Sequence, residues 1–174
     1  NEALLQYLLD FDLNKDADGI LATDATFTES AMEFMTPPGS DDPVLKAAQE
    51  AGTKLVIFHG VADPVFSVLD TVNWYEKLDA NNDNNAEDFA RLFLVPGMPH
   101  GAGGPSTDAM DFFTPLVDWV ENDAAPDHIV AGVTGHNKEG QTALGDVTRK
   151  LCVWPLVARY TGNNPSDAAS FTCE

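Results

Sequence analysis

Two short runs of consecutive apolar residues, within 54–58 (KLVIF) and 91–95 (RLFLV), interrupt a chain whose apolar positions otherwise recur at helical spacing. Unbroken runs of this length read as strands buried on both faces of a parallel sheet. Between them Leu69, Val72, Tyr75 and Leu78 form the apolar stripe of a helix. Ser67 opens that helix, and Asp70, three residues on, fits a capping-box-like partner. After the second run, Met110, Phe113, Leu116, Val117 and Val120 predict a helix from Ser106 or Thr107 to about Glu121. Before the first run, Asp42 as cap, Pro43 at the first helical position and Gly52 past the end predict another. Leu4, Leu5, Leu8 and Leu9 predict a helix over 1–9, and Pro37-Pro38-Gly39 breaks whatever precedes it. Residues 128–133 predict one short strand in the tail.

The order helix, strand, helix, strand, helix implies an α/β fold with a parallel sheet and covering helices. Two strong strands are too few for a whole domain of that kind, so the sheet is expected to continue in sequence outside this chain. The chain divides into an irregular segment, 1–42, a core over 43–135, and a tail over 136–174.

Composition narrows the function. With 28 acidic against 9 basic residues, the net charge of −19 argues against a nucleic-acid partner, whose phosphates require clustered Lys and Arg. It also disfavours anionic membranes. Hydrophobic residues make up 44%, enough for a core, yet no apolar run reaches the roughly 20 residues of a membrane span. The chain starts at Asn1 without a signal peptide, as expected of a processed or truncated polypeptide. Spacing alone leaves Cys152 and Cys173 open between one disulfide and two free thiols.

The candidate chemistry lies just past the two apolar runs. In an open parallel sheet, catalytic groups collect at the C-terminal ends of strands. Asp63 follows Phe58 in a turn fixed by Pro64, and His100 follows Val95 in a loop rich in glycine. Asp before His, each after a buried strand, is the order in which α/β-hydrolases place their acid and base behind a serine. There the histidine takes the serine proton, and the buried carboxylate fixes the histidine's tautomer. Singly, an Asp before Pro is a turn former and a His among glycines a solvated loop residue; the joint placement is what points to catalysis. His59 ends a strand and reads as a packing or supporting residue. His128 and His136 have no partnered acid in the sequence pattern. No Gly-x-Ser-x-Gly occurs, and Ser106, in a Gly-Pro-Ser-Thr-Asp context, reads as a helix cap.

The stretches 54–64 (KLVIFHGVADP), 91–105 (RLFLVPGMPHGAGGP), 116–121 (LVDWVE) and 125–127 (APD) closely resemble the tannase and feruloyl esterase family. Residues 22–26, 35–38 and the tail from Leu151-Cys152 to Cys173 look similar too, so the resemblance covers nearly the whole chain. It implies the C-terminal part of an α/β-hydrolase sheet, and a secreted or periplasmic serine esterase acting on esters of gallic or hydroxycinnamic acids. It carries over Asp63 as acid and His100 as base, and implies a Cys152–Cys173 disulfide. It places the serine and most of the lid N-terminal to Asn1, so the chain alone is expected to be inactive. Its expected partners are an aromatic ester and the N-terminal portion of the enzyme or a second copy. One position departs from the family, which has Cys directly after the catalytic His, bridged to a Cys before the serine. Here that position is Gly101, and no other cysteine is available.

Asn14, Asp16 and Asp18, followed by Gly19 and Ile20, match the start of a calcium loop, but Ala25 falls where the twelfth-position Glu belongs. Calcium therefore enters only an alternative reading, a non-catalytic hydrolase-like binding module stabilised by the ion; no other cofactor is expected.

Overall fold

The computed structural model describes every residue except Asn1, Pro37 and Ser40. The chain forms two compact units, one ending at Asp42 and one spanning Pro43–Glu174.

The first unit consists of short helices: α1 (Glu2–Asp10), α2 (Leu13–Asp16), a 3₁₀ turn (Ala17–Ile20) and α3 (Ala31–Met35). Helix α1 ends one residue later than the leucine spacing predicts, and Asn1, its expected first residue, lies outside the described residues. Part of the proline break, Pro37, lies outside them too. Ser30 caps α3 through a full capping box with Glu33. Asn14 and Asp16 lie in α2 and Asp18 in the 3₁₀ turn, so this stretch is helical. Asp12 caps α2, and the Asp16 carboxylate accepts the Asp12 N–H at 2.8 Å. Among the described residues no group of three His, Cys, Asp or Glu side chains is placed to hold a metal ion.

The second unit is built on β1 (Leu55–Gly60) and β2 (Ala90–Val95), paired in parallel from Leu55↔Ala90 to Gly60↔Val95. Side chains alternate across the sheet. On one face, Leu92 and Ala90 pack against Val72, Tyr75 and Leu78 of α5 (Val68–Asn81). On the other, Phe93 and Val95 pack against Met98, Ile129, Leu151 and Val153. Leu78, Leu92 and Phe93 are fully buried, each worth about 1.5–3 kcal/mol relative to exposure. Tyr75 is anchored at its polar end, where its hydroxyl donates to the Ala90 carbonyl at 2.9 Å. Burial pushes that phenol up to about 12, against the pull of the nearby Arg91 charge.

Several expectations are corrected. The helix expected from Pro43 is the single turn α4 (Lys46–Glu50), preceded by Leu45 in a left-handed conformation. The Asn82 amide takes the Val44 carbonyl and the Asn81 amide that of Pro43, which turns those groups away from a helix. Ser67 precedes α5, but its side chain makes no capping bond, so the Ser67–Asp70 box does not form; Leu69 faces solvent. The helix expected from Ser106 starts only at Phe113 (α6, Phe113–Asn122), because residues 106–109 are engaged by the tail. The side chain that α6 buries is Trp119, with Phe113 and Val120 exposed. Lys54 Nζ lies 4.9 Å and the Arg91 guanidinium 5.7 Å from the Trp119 ring centroid, so the indole is buried beneath cations.

The tail holds more structure than the one strand expected. Strand β3 (His128–Ala131) pairs antiparallel with β4 (Arg149–Cys152), and β5 (Ala158–Tyr160) with β6 (Phe171–Cys173); α7 (Lys138–Leu144) lies between β3 and β4. Among the described residues the parallel arrangement is thus confined to β1 and β2. Beyond β4, Val153 bridges Phe93 antiparallel and the Trp154 N–H donates to the Leu92 carbonyl at 2.8 Å, which covers the outer edge of β2. Cys152 and Cys173 form a disulfide with Cα atoms 5.6 Å apart, tying β4 to β6. Among the described residues no helix is long and apolar enough to cross a membrane.

Candidate active site

The turn after β1 and the loop after β2 are locked to each other before any side chain is considered. The Val61 N–H donates to the Val95 carbonyl and the Ala62 N–H to the Met98 carbonyl, both at 3.0 Å. Gly60 permits this approach, because a Cβ there would sit 2.3 Å from the Met98 oxygen and 2.4 Å from that of Pro99. The two segments therefore leave the sheet side by side, at the C-terminal ends of both strands.

Asp63 and His100 meet across this junction. His100 Nδ1 lies 2.9 Å from Asp63 Oδ2. The second carboxylate oxygen, Oδ1, accepts the backbone N–H groups of Val65 at 2.8 Å and Phe66 at 3.1 Å, an Asx-type turn completed by Pro64. Burial acts to raise the Asp63 pKa, but the His100 bond and the two backbone donors outweigh it and bring the group down to about 2. An ionised carboxylate only accepts, so His100 Nδ1 must carry a proton, and in the neutral ring Nε2 then presents the lone pair. The Asp63 side chain is 4% exposed and the His100 side chain 58%, so the acid is shielded and the imidazole faces out. Nε2 has no hydrogen-bond partner among the described residues.

His59 supports the acid more directly than its sequence position indicates. Its Nε2 faces the Phe66 carbonyl at 3.2 Å and Asp63 Oδ2 at 3.4 Å, while Nδ1 lies 2.7 Å from the Thr71 hydroxyl. Two acceptors at Nε2 require a proton there. His128, expected to lack a partnered acid, contacts the adjacent Asp127 carboxylate through Nδ1. Ser106 is buried and its hydroxyl donates to the Gly103 carbonyl at 2.7 Å, so it belongs to the scaffold of the loop.

Sequence reasoning missed the residues that hold the loop carrying His100. Asp108 Oδ2 accepts the Gly103 N–H at 3.1 Å, and Asn137 Nδ2 donates to the Gly104 carbonyl at 2.9 Å. Their partners are backbone groups, which leave no mark in the sequence. The one signal that could have pointed to Asn137 is its place directly before a helical stretch, a capping position that says nothing of a second partner.

The chain is similar to proteins of known sequence and to solved structures. The family model described as tannase and feruloyl esterase matches residues 6–174. The chain is 42% identical over 167 residues to a mono(2-hydroxyethyl) terephthalate hydrolase of Piscinibacter sakaiensis, covering 95% of this chain and 26% of that protein. It is 34% identical over 168 residues to a probable feruloyl esterase of Arthroderma benhamiae, covering 93% of this chain and 30% of the relative. The crystal structure of an esterase from Aspergillus oryzae superposes with a TM-score of 0.67 at 21% identity, covering 95% of this chain and 35% of that one, a likeness of fold. The chain thus spans between a quarter and a third of the length of the two relatives.

Proposed function

Because this chain belongs to the tannase and feruloyl esterase family, we propose that it is the C-terminal part of an α/β-hydrolase and supplies the acid, Asp63, and the base, His100, of a Ser-His-Asp triad. The observation that carries this reading is the 2.9 Å bond between His100 Nδ1 and a shielded Asp63 carboxylate, with Nε2 open to an incoming group. The reaction is hydrolysis of carboxylic esters of aromatic acids. The serine hydroxyl, borne by a polypeptide segment outside this chain, attacks the ester carbonyl carbon while His100 Nε2 takes its proton. The tetrahedral intermediate then expels the alcohol, which leaves with that proton. Water attacks the acyl-enzyme by the same relay, releasing the acid and restoring the serine. Asp63 stays ionised throughout and stabilises the imidazolium.

The exposed side chains of Phe58, Val61, Val65 and Phe66 beside the pair support a partner that covers this end of the sheet, the serine-bearing part of the same enzyme. The disulfide supports a secreted or periplasmic location, since such bonds persist in oxidising compartments.

The test is ester hydrolysis by the complete enzyme on hydroxycinnamoyl and galloyl esters, with the chain alone expected to be inactive. His100→Ala is expected to lower turnover on the order of 10⁴–10⁶-fold, and Asp63→Asn about 10⁴-fold by favouring the wrong tautomer. A folded His100→Ala enzyme with wild-type turnover overturns the assignment of the base.

A further inference from the structure

His100 sits at the tip of a loop whose two feet touch. A Cβ on Gly97 would lie 2.4 Å from the Pro105 oxygen, and one on Gly104 would lie 2.5 Å from the Gly97 oxygen. Gly101 has a φ of +82° and open space around it. The loop is fixed from beneath, by Asn137, which comes after β3, and by Asp108, which is itself bonded to Thr134 after β3. Asn137 is 7% exposed and uses both ends of its amide: Nδ2 donates to the carbonyls of Gly104 at 2.9 Å and Ser106 at 3.4 Å, while Oδ1 accepts the Gly140 N–H at 2.8 Å and caps α7. The absent side chain of Gly140 makes room for that amide, since a Cβ there would meet Asn137 Nδ2 at 2.5 Å. Asp108 is satisfied in the same way. Oδ2 accepts from the Gly103 N–H and the Thr134 hydroxyl, each at 3.1 Å, and Oδ1 accepts the Thr134 N–H at 2.9 Å. Burial acts to raise the Asp108 pKa, but the Thr134 N–H, the Asn137 amide, the Gly103 N–H and the Thr134 hydroxyl hold its carboxyl below the ordinary range.

We propose that Asp108 and Asn137 are positioning residues for His100: they clamp Gly103 and Gly104 to the segment after β3 and so hold the imidazole in register with Asp63. The proposal rests on the reading of His100 as the base. Part of the loop's order is supplied where the chain turns, by Gly97 against Pro105; the rest comes from Asp108, itself bonded to Thr134 26 residues further on, and from Asn137, 33 residues from Gly104. Each bond to the loop fixes a backbone group rather than a side chain, so the clamp sets where the loop runs and leaves the imidazole itself open.

The tautomer of His100 reports this position without any ester. Two-bond ¹H–¹⁵N correlation of the imidazoles at about pH 9, well above the ordinary imidazole value, distinguishes protonated from unprotonated ring nitrogens through non-exchanging C–H protons. In the complete wild-type enzyme His100 is expected to hold its proton on Nδ1, and Asp63→Asn gives the spectrum of the unheld ring. Asn137→Asp keeps the α7 cap but removes both donations to the loop, and Asp108→Asn removes one acceptor at constant shape. Both are expected to shift the His100 nitrogens toward the Asp63→Asn values, with the amide spectrum of β1 and β2 unchanged. Should either variant unfold, Gly140→Ala decides in the same way, because it displaces the Asn137 amide while retaining every polar group of the clamp. Folded variants that keep the wild-type His100 nitrogen shifts overturn the proposal. Because the readout needs no turnover, an enzyme that fails to hydrolyse esters tells against the hydrolase reading and leaves this result standing.

Discussion

Replacing Gly60 by alanine places one methyl group at the junction where the acid turn and the histidine loop leave the sheet. The added Cβ would stand 2.3 Å from the Met98 oxygen and 2.4 Å from the Pro99 oxygen, both backbone atoms that cannot rotate away. Restoring van der Waals distance requires a separation of about 1 Å between the two segments. That movement strains the Ala62-to-Met98 hydrogen bond, now 3.0 Å, and pulls His100 away from Asp63. Overpacking of this kind costs about 1–3 kcal/mol, which for a chain of this length lowers Tm by roughly 2–12 °C. In the complete enzyme a misplacement of this size is expected to cost on the order of 10²-fold in turnover. Gly101→Ala is the control: its φ of +82° is unfavourable for alanine, but nothing lies within 4 Å, so it should cost about 1 kcal/mol without moving β1 from the loop. Calorimetry and the His100 tautomer measurement check both variants. A Gly60→Ala chain with wild-type Tm and a wild-type His100 spectrum would refute the argument that backbone contact at Gly60 sets the separation of acid and base.

Two further outcomes are expected. Removing the Cys152–Cys173 bond, which spans a sequence separation of 21, should cost about 3 kcal/mol from loop-closure entropy, read as a lower Tm in a Cys152→Ser/Cys173→Ser chain; an unchanged Tm would show the tail to be held by packing alone. Asp63, held at about 2 against an ordinary 3.8, contributes stability that is complete above the ordinary value and is lost as pH falls through that window, so the difference in urea midpoint between wild type and Asp63→Asn should be flat down to about pH 4 and shrink from there toward pH 2; a difference that fails to shrink would remove the carboxylate's ionisation as its source.

What the sequence disclosed and what it hid follow one physical division. Asp63 and His100 were legible because their positions depend on local order: a buried strand, a short turn, then the residue. The strands were legible because residues 54–58 and 91–95 are apolar at every position but the first, a pattern that burial on both faces requires. Asp108 and Asn137 were hidden because they bind backbone carbonyls and N–H groups, which nearly every residue possesses. The start of α6 was misplaced for the same reason. Periodicity from Met110 onward continues smoothly, but the Ala109–Gly132 bridge and the Asp108 bonds to Thr134 hold that stretch out of a helix. Trp119 was overlooked because a helix stripe is counted along one face, whereas this indole is buried beneath Lys54 and Arg91, whose cationic heads no apolar pattern includes.

The pair of Asp63 and His100 is assembled by this chain's own groups, and that bears on how a nucleophile from another segment would be used. Val65 and Phe66 fix one carboxylate oxygen; His100 and, at longer range, His59 face the other. The strand register sets Gly60 beside Val95, and the Ala62-to-Met98 bond continues it past the sheet. None of these contacts involves a group outside Pro43–Glu174. In the proposed enzyme, docking of a serine-bearing segment would therefore have to align one hydroxyl with His100 Nε2, and would not also have to order the acid, the tautomer or the loop. Entropy that would otherwise be lost at docking has been lost already in folding, which is the condition under which such a site gains most from proximity. The weak point of the pair lies on the side of the base. The acid is fixed by atoms within three residues of itself, whereas the loop that carries the base depends on partners beyond β3. Perturbations of the tail should therefore disturb His100 before they disturb Asp63.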